Sequence, residues 1–227
     1  MRIIDLGGPL YEGMWSYAPP YPKFKVKEIP MPDWVDYKVW QEEFVGLCSQ
    51  TGTYIQTPAH FLGYEKSYPL NQVPIENLFM LDTYVIKLDW NKLDKKDGRP
   101  FISAEDLENS GFGEDLGKEK GLIVSTGWGQ FWKEDYFFEK SHFFKKDAID
   151  WIINKNPYLL SSDSPLWDNL KNPEGFFGDF FEADILMLAP CVNLEKIKKE
   201  KVKVVALPLK IEGKNCGCPC RPLAIEE

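Results

Sequence analysis

The sequence predicts one α/β or α+β domain over residues 1–227, and two observations carry that expectation. Short apolar runs rich in β-branched residues alternate along the chain with capped or amphipathic helical segments. No linker, repeat or shift in composition divides the 227 residues, a length that suits one domain. Hydrophobic residues make up 44% and aromatic residues 15%, enough to fill a core.

In chain order, Ile3–Leu6 reads as a strand broken by Gly7-Gly8-Pro9. Residues 15–34 are rich in proline and aromatics and read as a covering loop with strand pieces. Alternation after Asp36 predicts a strand running into Cys48, and Pro74-Ile75-Glu76 predicts one helical turn. Leu81–Trp90 and Leu122–Ser125 are strands by their β-branched content. Ser103 followed by acidic residues starts a helix that Gly111 closes. Ala148, Ile149, Ile152 and Ile153 share one face of a helix that Pro157 ends. Tyr158–Ser162 is a strand entering a polar loop. From Asp184 onward the pattern is strand, short helix and two or three closing strands.

The charge balance of -8 argues against a nucleic-acid partner. The lysine-rich run Lys196–Lys203 alternates with glutamate and reads as a solvated helix face. No apolar run approaches the roughly 20 residues that span a bilayer, and Met1-Arg2 leads straight into a strand pattern. The expectation is a soluble, cytoplasmic protein with no membrane partner. Five cysteines, three of them in Asn215–Cys220, do not form a secreted disulfide framework. If extended, that segment turns Cys216, Cys218 and Cys220 to one face. They are small buried hydrophobes, a soft-metal or redox group, or a thiol partner for a histidine.

Candidate chemistry gathers in Ser49–Gly63, SQTGTYIQTPAHFLG. Gly52 permits a turn with positive φ and Pro58 stiffens the exit. In an extended segment Gln50, Tyr54 and Gln56 share a face, and His60, just past the proline, can swing back to the same space. His60 and Tyr54 are the catalytic candidates, His60 as a general base. Gln50 and Gln56 are substrate-binding candidates. Thr126 and Trp128 join them, because a strand-end elbow exposes backbone N–H groups. Trp15, grouped with Tyr17, Tyr21, Trp34 and Trp40, either walls an aromatic-ligand pocket or packs under the proline-rich loop. The other histidine, His142, reads as a surface or helix-start residue.

The string Gln50-Thr51-Gly52-Thr53-Tyr54-Ile55-Gln56-Thr57-Pro58-Ala59-His60 resembles the signature His-x-Gly-Thr-His-x-Asp-x-Pro-x-His of the cyclase family of metal-dependent hydrolases, which includes bacterial kynurenine formamidase. Asp5–Met14, Thr126–Trp132, Ser161–Asp168, Val192–Ile197 and Leu207–Ile225 are similar to further segments of that family, in the family's order. The resemblance implies a swivelling β/β/α-type domain with a central mixed sheet and outer helices. It also implies a divalent metal, zinc or manganese, and water attack on an amide or cyclic amide. Gln50, Tyr54 and Gln56 stand where the family has two histidines and an aspartate. Ala189 stands at a metal-binding glutamate, and Phe177 lies near a catalytic histidine. Glu182 and Asp184 are nearby acids that could compensate. Weak metal candidates are then Gln50, Gln56 and His60. The implied function is a C–N hydrolase acting on a small amide-like or cyclic carbonyl substrate, as a homo-oligomer. The alternative is a homologue that binds a small molecule or partner without catalysis.

Overall fold

The computed structural model describes residues 1–227. Its strands and helices follow in chain order: β1 (Arg2–Asp5), β2 (Lys25–Glu28), β3 (Glu42–Val45), β4 (Tyr54–Gln56), α1 (Ala59–Leu62), β5 (Leu81–Lys87), β6 (Lys95–Lys96), β7 (Arg99–Ile102), α2 (Ala104–Glu108), β8 (Gly121–Ser125), β9 (Phe143–Phe144), α3 (Lys146–Lys155), β10 (Leu159–Ser162), α4 (Phe177–Glu182), β11 (Leu186–Ala189), β12 (Lys201–Val205), β13 (Gly217–Pro219) and β14 (Leu223–Glu226). No helix is long and apolar enough to cross a membrane.

Nine strands form one mixed sheet in the order β1-β14-β12-β5-β8-β10-β11-β4-β13. The centre, β5-β8-β10-β11, is parallel and its flanks are antiparallel. The sheet curls. The chain leaving β1 reaches the far side of the order, where Leu6 O accepts from Val192 N and Gly8 N donates to Thr53 Oγ1.

Alternation assigns each central strand to two cores at once. Ile123, Leu159, Leu186 and Leu188 enter one cluster with Ile4, Val204 and Ala224. Leu122, Val124, Leu160, Met187 and Ala189 enter another, roofed by Leu107 of α2, Ile149 and Ile152 of α3 and Phe180 and Phe181 of α4. This is period two read on a sheet buried on both faces. Truncating Ile123, which is fully buried, to alanine would cost about 2–5 kcal/mol.

The helices obey local chemistry. Ser103 and Asp106 form a reciprocal capping box at α2. Asn156, at φ 53°, closes α3 in the left-handed conformation. Two expectations are corrected. The strand predicted to reach Cys48 ends at Val45, because Gly46 turns the chain at φ 74°. The lysine run 196–203 is not a helix face: Lys196 ends a 3-10 turn and Lys201–Lys203 lie in β12. Lys201 and Lys203 there flank the Asp82 carboxylate of β5.

Candidate functional site

Strand β4 decides where the candidate side chains go. Ile55 enters the main core, so its neighbours Tyr54 and Gln56 face the other side of the sheet. Across the ladder they sit opposite Ala189 and Met187. The turn before β4 needs Gly52 twice over. Its φ is +68°, and an added Cβ would lie 2.3 Å from the Leu10 side chain. Pro58 then opens α1, which carries His60 and Phe61. Helix α4 contributes Phe177 and Phe181, one turn apart on one face. The loop 165–170 and the aromatic pair Tyr17 and Tyr21 complete a cavity of about 260 Å³, small by the standards of ligand sites.

The polar contacts inside it can be assigned donor by donor. Tyr17 Oη donates to the Pro165 carbonyl at 2.8 Å. It therefore accepts, rather than donates, in its 2.9 Å bond with Tyr54 Oη. The Tyr54 proton is thus engaged. Burial pushes the Tyr54 phenol up to about 12, against the smaller opposing effect of the Gln50 amide, so it stays protonated at neutral pH. Gln50 Nε2 lies 3.5 Å from Gln56 Oε1. Gln56 is 1% exposed, and its Nε2 has no hydrogen-bond partner. An unsatisfied buried amide donor costs about 1–3 kcal/mol, which an acceptor on a bound molecule would relieve. His60 stands at the mouth, its ring edge-on to Phe181 at 6.2 Å between centroids. Loss of water on the packed side lowers its pKa from the ordinary value, leaving a neutral imidazole at neutral pH. Cys216 Sγ lies 3.9 Å from His60 Nδ1.

This donor set does not fit a tightly held divalent ion. It offers two amide oxygens, a protonated phenol and one imidazole, where zinc or manganese calls for imidazoles and neutralising carboxylates. Asp168 lines the cavity, but its carboxylate accepts from Asn169 N, Glu174 N and Gly175 N. No three His, Cys, Asp or Glu side chains anywhere in the structure are grouped to hold a metal. Glu182 and Asp184 do not line the cavity, and Asp184 instead accepts from Tyr68 Oη at 2.7 Å.

Gln50, Tyr54, Gln56 and His60 meet in the one cavity, as their spacing predicts, together with Tyr17, Tyr21 and Phe177. Thr126, Trp128 and Trp15 do not line it, and the wall expected from Thr126 and Trp128 is corrected. Trp128 donates Nε1–H to the Phe137 carbonyl at 2.9 Å within a separate aromatic cluster. Trp15 packs between Trp132, Phe137 and Phe138 and reaches the cavity only through Tyr17, at 6.1 Å between rings. Trp34 and Trp40 are exposed.

Thr126 belongs instead to a buried chain around His142, which is fully buried rather than at the surface. Thr126 Oγ1 donates to Asp163 at 3.0 Å, so it accepts from His142 Nδ1 at 3.2 Å. The neutral ring then accepts at Nε2 from Ser162 Oγ at 3.1 Å. Desolvation, with the nearby Arg99 charge, lowers the His142 pKa to about 3. Desolvation raises Asp163 to about 6, its bonds from Thr126 opposing.

The three alternating cysteines divide. Cys218 is buried in the main core and Cys220 packs against it, while Cys216 precedes β13 and turns to His60. The Phe61, Pro165–Asp168, Leu170, Phe181 and Met187 walls were not read from the sequence as cavity residues. The four-residue spacing of Phe177 and Phe181 was the available signal.

A wider groove of about 800 Å³ runs beneath the β2–β3 hairpin. Asp5 and Arg221, its only charged residues, pair with each other at 2.6 Å. The smaller cavity, with its unpaired amide, is therefore the candidate site.

The chain matches the Cyclase family over residues 4–169 and belongs to that family. Its fold is shared with an isatin hydrolase bound to the product analogue thioisatinate, at a TM-score of 0.80 and 21% identity over 98% of this chain and 91% of that one. Isatin hydrolase A from Ralstonia solanacearum superposes with a TM-score of 0.77 and 20% identity over 99% and 92%. A protein from Bacillus stearothermophilus described as a predicted metal-dependent hydrolase gives 0.74 and 19% over 98% and 97%. At these identities the likeness is one of fold. A search of curated proteins finds no match.

Proposed function

We propose that this protein hydrolyses the C–N bond of a small, flat aromatic amide or cyclic amide, of which isatin is the type, in the cavity of Gln50, Tyr54, Gln56 and His60. One observation carries the reading: a cavity of about 260 Å³ walled by Tyr17, Phe61, Phe177 and Phe181 holds an unpaired, buried Gln56 amide. Aromatic walls suit a planar ring, and the amide donor suits its carbonyl oxygen. His60 is the base, neutral at working pH. Tyr54, through its hydroxyl, holds Gln50 and Tyr17 in place around the substrate. No step is assigned to zinc or manganese, since the donors do not suit them. The exposed tryptophans Trp34 and Trp40 next to the exposed β2–β3 hairpin support a homo-oligomer. The neutral donor set also supports a second reading, a homologue that binds such a molecule without turning it over.

Isatin opening, followed by absorbance with wild type and His60→Ala, separates the two. Turnover that His60→Ala loses by about a hundredfold or more supports the hydrolase. Saturable binding without turnover supports the second reading. Neither binding nor turnover sinks both.

A further inference from the structure

The cavity of Gln50, Tyr54, Gln56 and His60 carries one charged side chain, the Asp168 carboxylate, and neither lysine nor arginine. Backbone N–H groups of Asn169 at 2.7 Å and Glu174 at 2.8 Å hold that carboxylate in the wall. Arg99 stands behind the same wall without lining the cavity. Its N–H groups go to the carbonyls of Ser141, His142, Leu166 and Asp168. The groups that do face the space are neutral. Burial keeps the His60 imidazole uncharged. Tyr17 gives its proton to the Pro165 carbonyl, and Tyr54 gives its own to Tyr17. The Gln56 Nε2–H, on a side chain 1% exposed, has no acceptor. A neutral donor without a counter-charge suits the carbonyl oxygen of an uncharged molecule. A carboxylate entering the same space would give up its water with no cation to replace it.

We propose that this site selects by charge: it takes an uncharged aromatic carbonyl compound and refuses the same ring once that ring bears a carboxylate. The proposal rests on the cavity being a carbonyl-substrate site and adds which members of that class enter. Neutral lactams and plain aromatic amides fit. Amides that already carry a carboxylate, such as acylated amino acids, do not. The same selection acts on the product. In the opening of a cyclic amide, water adds its hydroxyl to the carbonyl carbon and its hydrogen to the nitrogen as the C–N bond breaks. The acid so formed gives its proton to solvent, since a carboxyl group ionises well below neutral pH. The resulting carboxylate meets no cation in the lining and one carboxylate, Asp168. The reaction therefore turns a ligand that fits into one that is expelled. Asp168 and the neutral pair Gln50 and Gln56 are the residues that set this preference.

Benzamide and benzoate match in size and shape and differ in charge, so they are the probes, with isatin and its ring-opened salt, isatinate, beside them. Each is titrated calorimetrically into the full chain at about pH 8, where a histidine of lowered pKa is neutral. Benzamide and isatin should bind, and benzoate and isatinate should bind about a hundredfold more weakly or not at all. Gln50→Lys, at a half-buried position in the lining, should strengthen benzoate binding at least about tenfold by supplying a counter-charge. Unchanged affinity of that variant for benzamide reports an intact cavity. Benzoate that binds wild type within about threefold of benzamide overturns the proposal. Isatinate that binds as tightly as isatin, with isatin still opened, also overturns it and leaves the hydrolase reading standing. Benzamide preferred over benzoate, with isatin neither bound nor opened, supports the charge selection and removes the hydrolase reading for isatin. Binding of none of the four removes both.

Discussion

Tyr17 and Tyr54 share a hydroxyl–hydroxyl bond of 2.9 Å, in which Tyr54 donates because the Tyr17 proton is held by Pro165 O. The bond ties β4 to the 165–170 wall. Tyr17→Phe should destabilise the fold by about 1–2 kcal/mol, since it leaves the Tyr54 proton without an acceptor and the Pro165 carbonyl without a donor. Tyr54→Phe on its own should cost less. A double-mutant cycle by urea unfolding should return a coupling of about 1 kcal/mol; additive effects would mean that the two hydroxyls do not interact.

Arg99 holds the same wall from below. It is 7% exposed and donates to the carbonyls of Ser141, His142, Leu166 and Asp168 at 2.7, 3.2, 2.7 and 2.9 Å. Arg99→Met should cost about 3 kcal/mol, because it leaves the Ser141 and Asp168 carbonyls without a donor, while His142 and Leu166 keep the Ser164 hydroxyl. It should also weaken ligand binding, because Leu166 and Asp168 line the cavity. Full stability by chemical denaturation would show the wall to be held by something else.

The buried His142–Asp163 pair gives pH dependence of two signs. Folding lowers the His142 pKa from 6.5 to about 3. Below pH 6.5 the unfolded chain takes up a proton that the folded chain refuses, so stability falls as pH drops toward 3. Folding raises Asp163 from 3.8 to about 6. Its contribution is favourable at low pH and is lost as pH rises through that window. His142→Gln should flatten the loss of stability as pH falls from 6.5 toward about 3. Stability curves of unchanged slope would place the acid sensitivity elsewhere.

Much of this was legible in the sequence where the signal is local. Leu122–Val124, the Ser103 cap and the α3 stripe each state their element within a few residues. The spacing of Gln50, Tyr54, Gln56 and His60 foretold a shared cavity, because period two and one glycine turn determine it. His142 was illegible for the opposite reason. Its partners Thr126, Ser162 and Asp163 come from two other segments, and nothing near His142 announces its burial. Thr126 and Trp128 were misplaced because an elbow after a strand can turn to either end of a curled sheet. The 165–170 wall reaches the cavity only through the Tyr17 and Arg99 contacts, which no short stretch encodes.

Rebuilding the donors tests why the site does not suit a metal. Gln50→His, Tyr54→His and Gln56→Asp together add two imidazoles and a carboxylate beside His60. Elemental analysis should then find about one zinc per chain. Amide hydrolysis by a metal-bound water should not follow, since Ala189, opposite residue 54 in the ladder, supplies no carboxylate and Phe177 no imidazole. A folded triple variant without metal would mean that these side chains do not converge as described.

The central claim is that the cavity takes a planar aromatic carbonyl compound on its own side chains. The measurement that meets it most directly is calorimetric titration of isatin into wild-type protein freed of metal with a chelator, beside Gln56→Leu. The account predicts saturable binding by the metal-free protein. It also predicts about a tenfold weaker Kd for Gln56→Leu, the loss of one net hydrogen bond to the Nε2 donor. Binding that appears only when zinc or manganese is added, and that ignores Gln56→Leu, would contradict it.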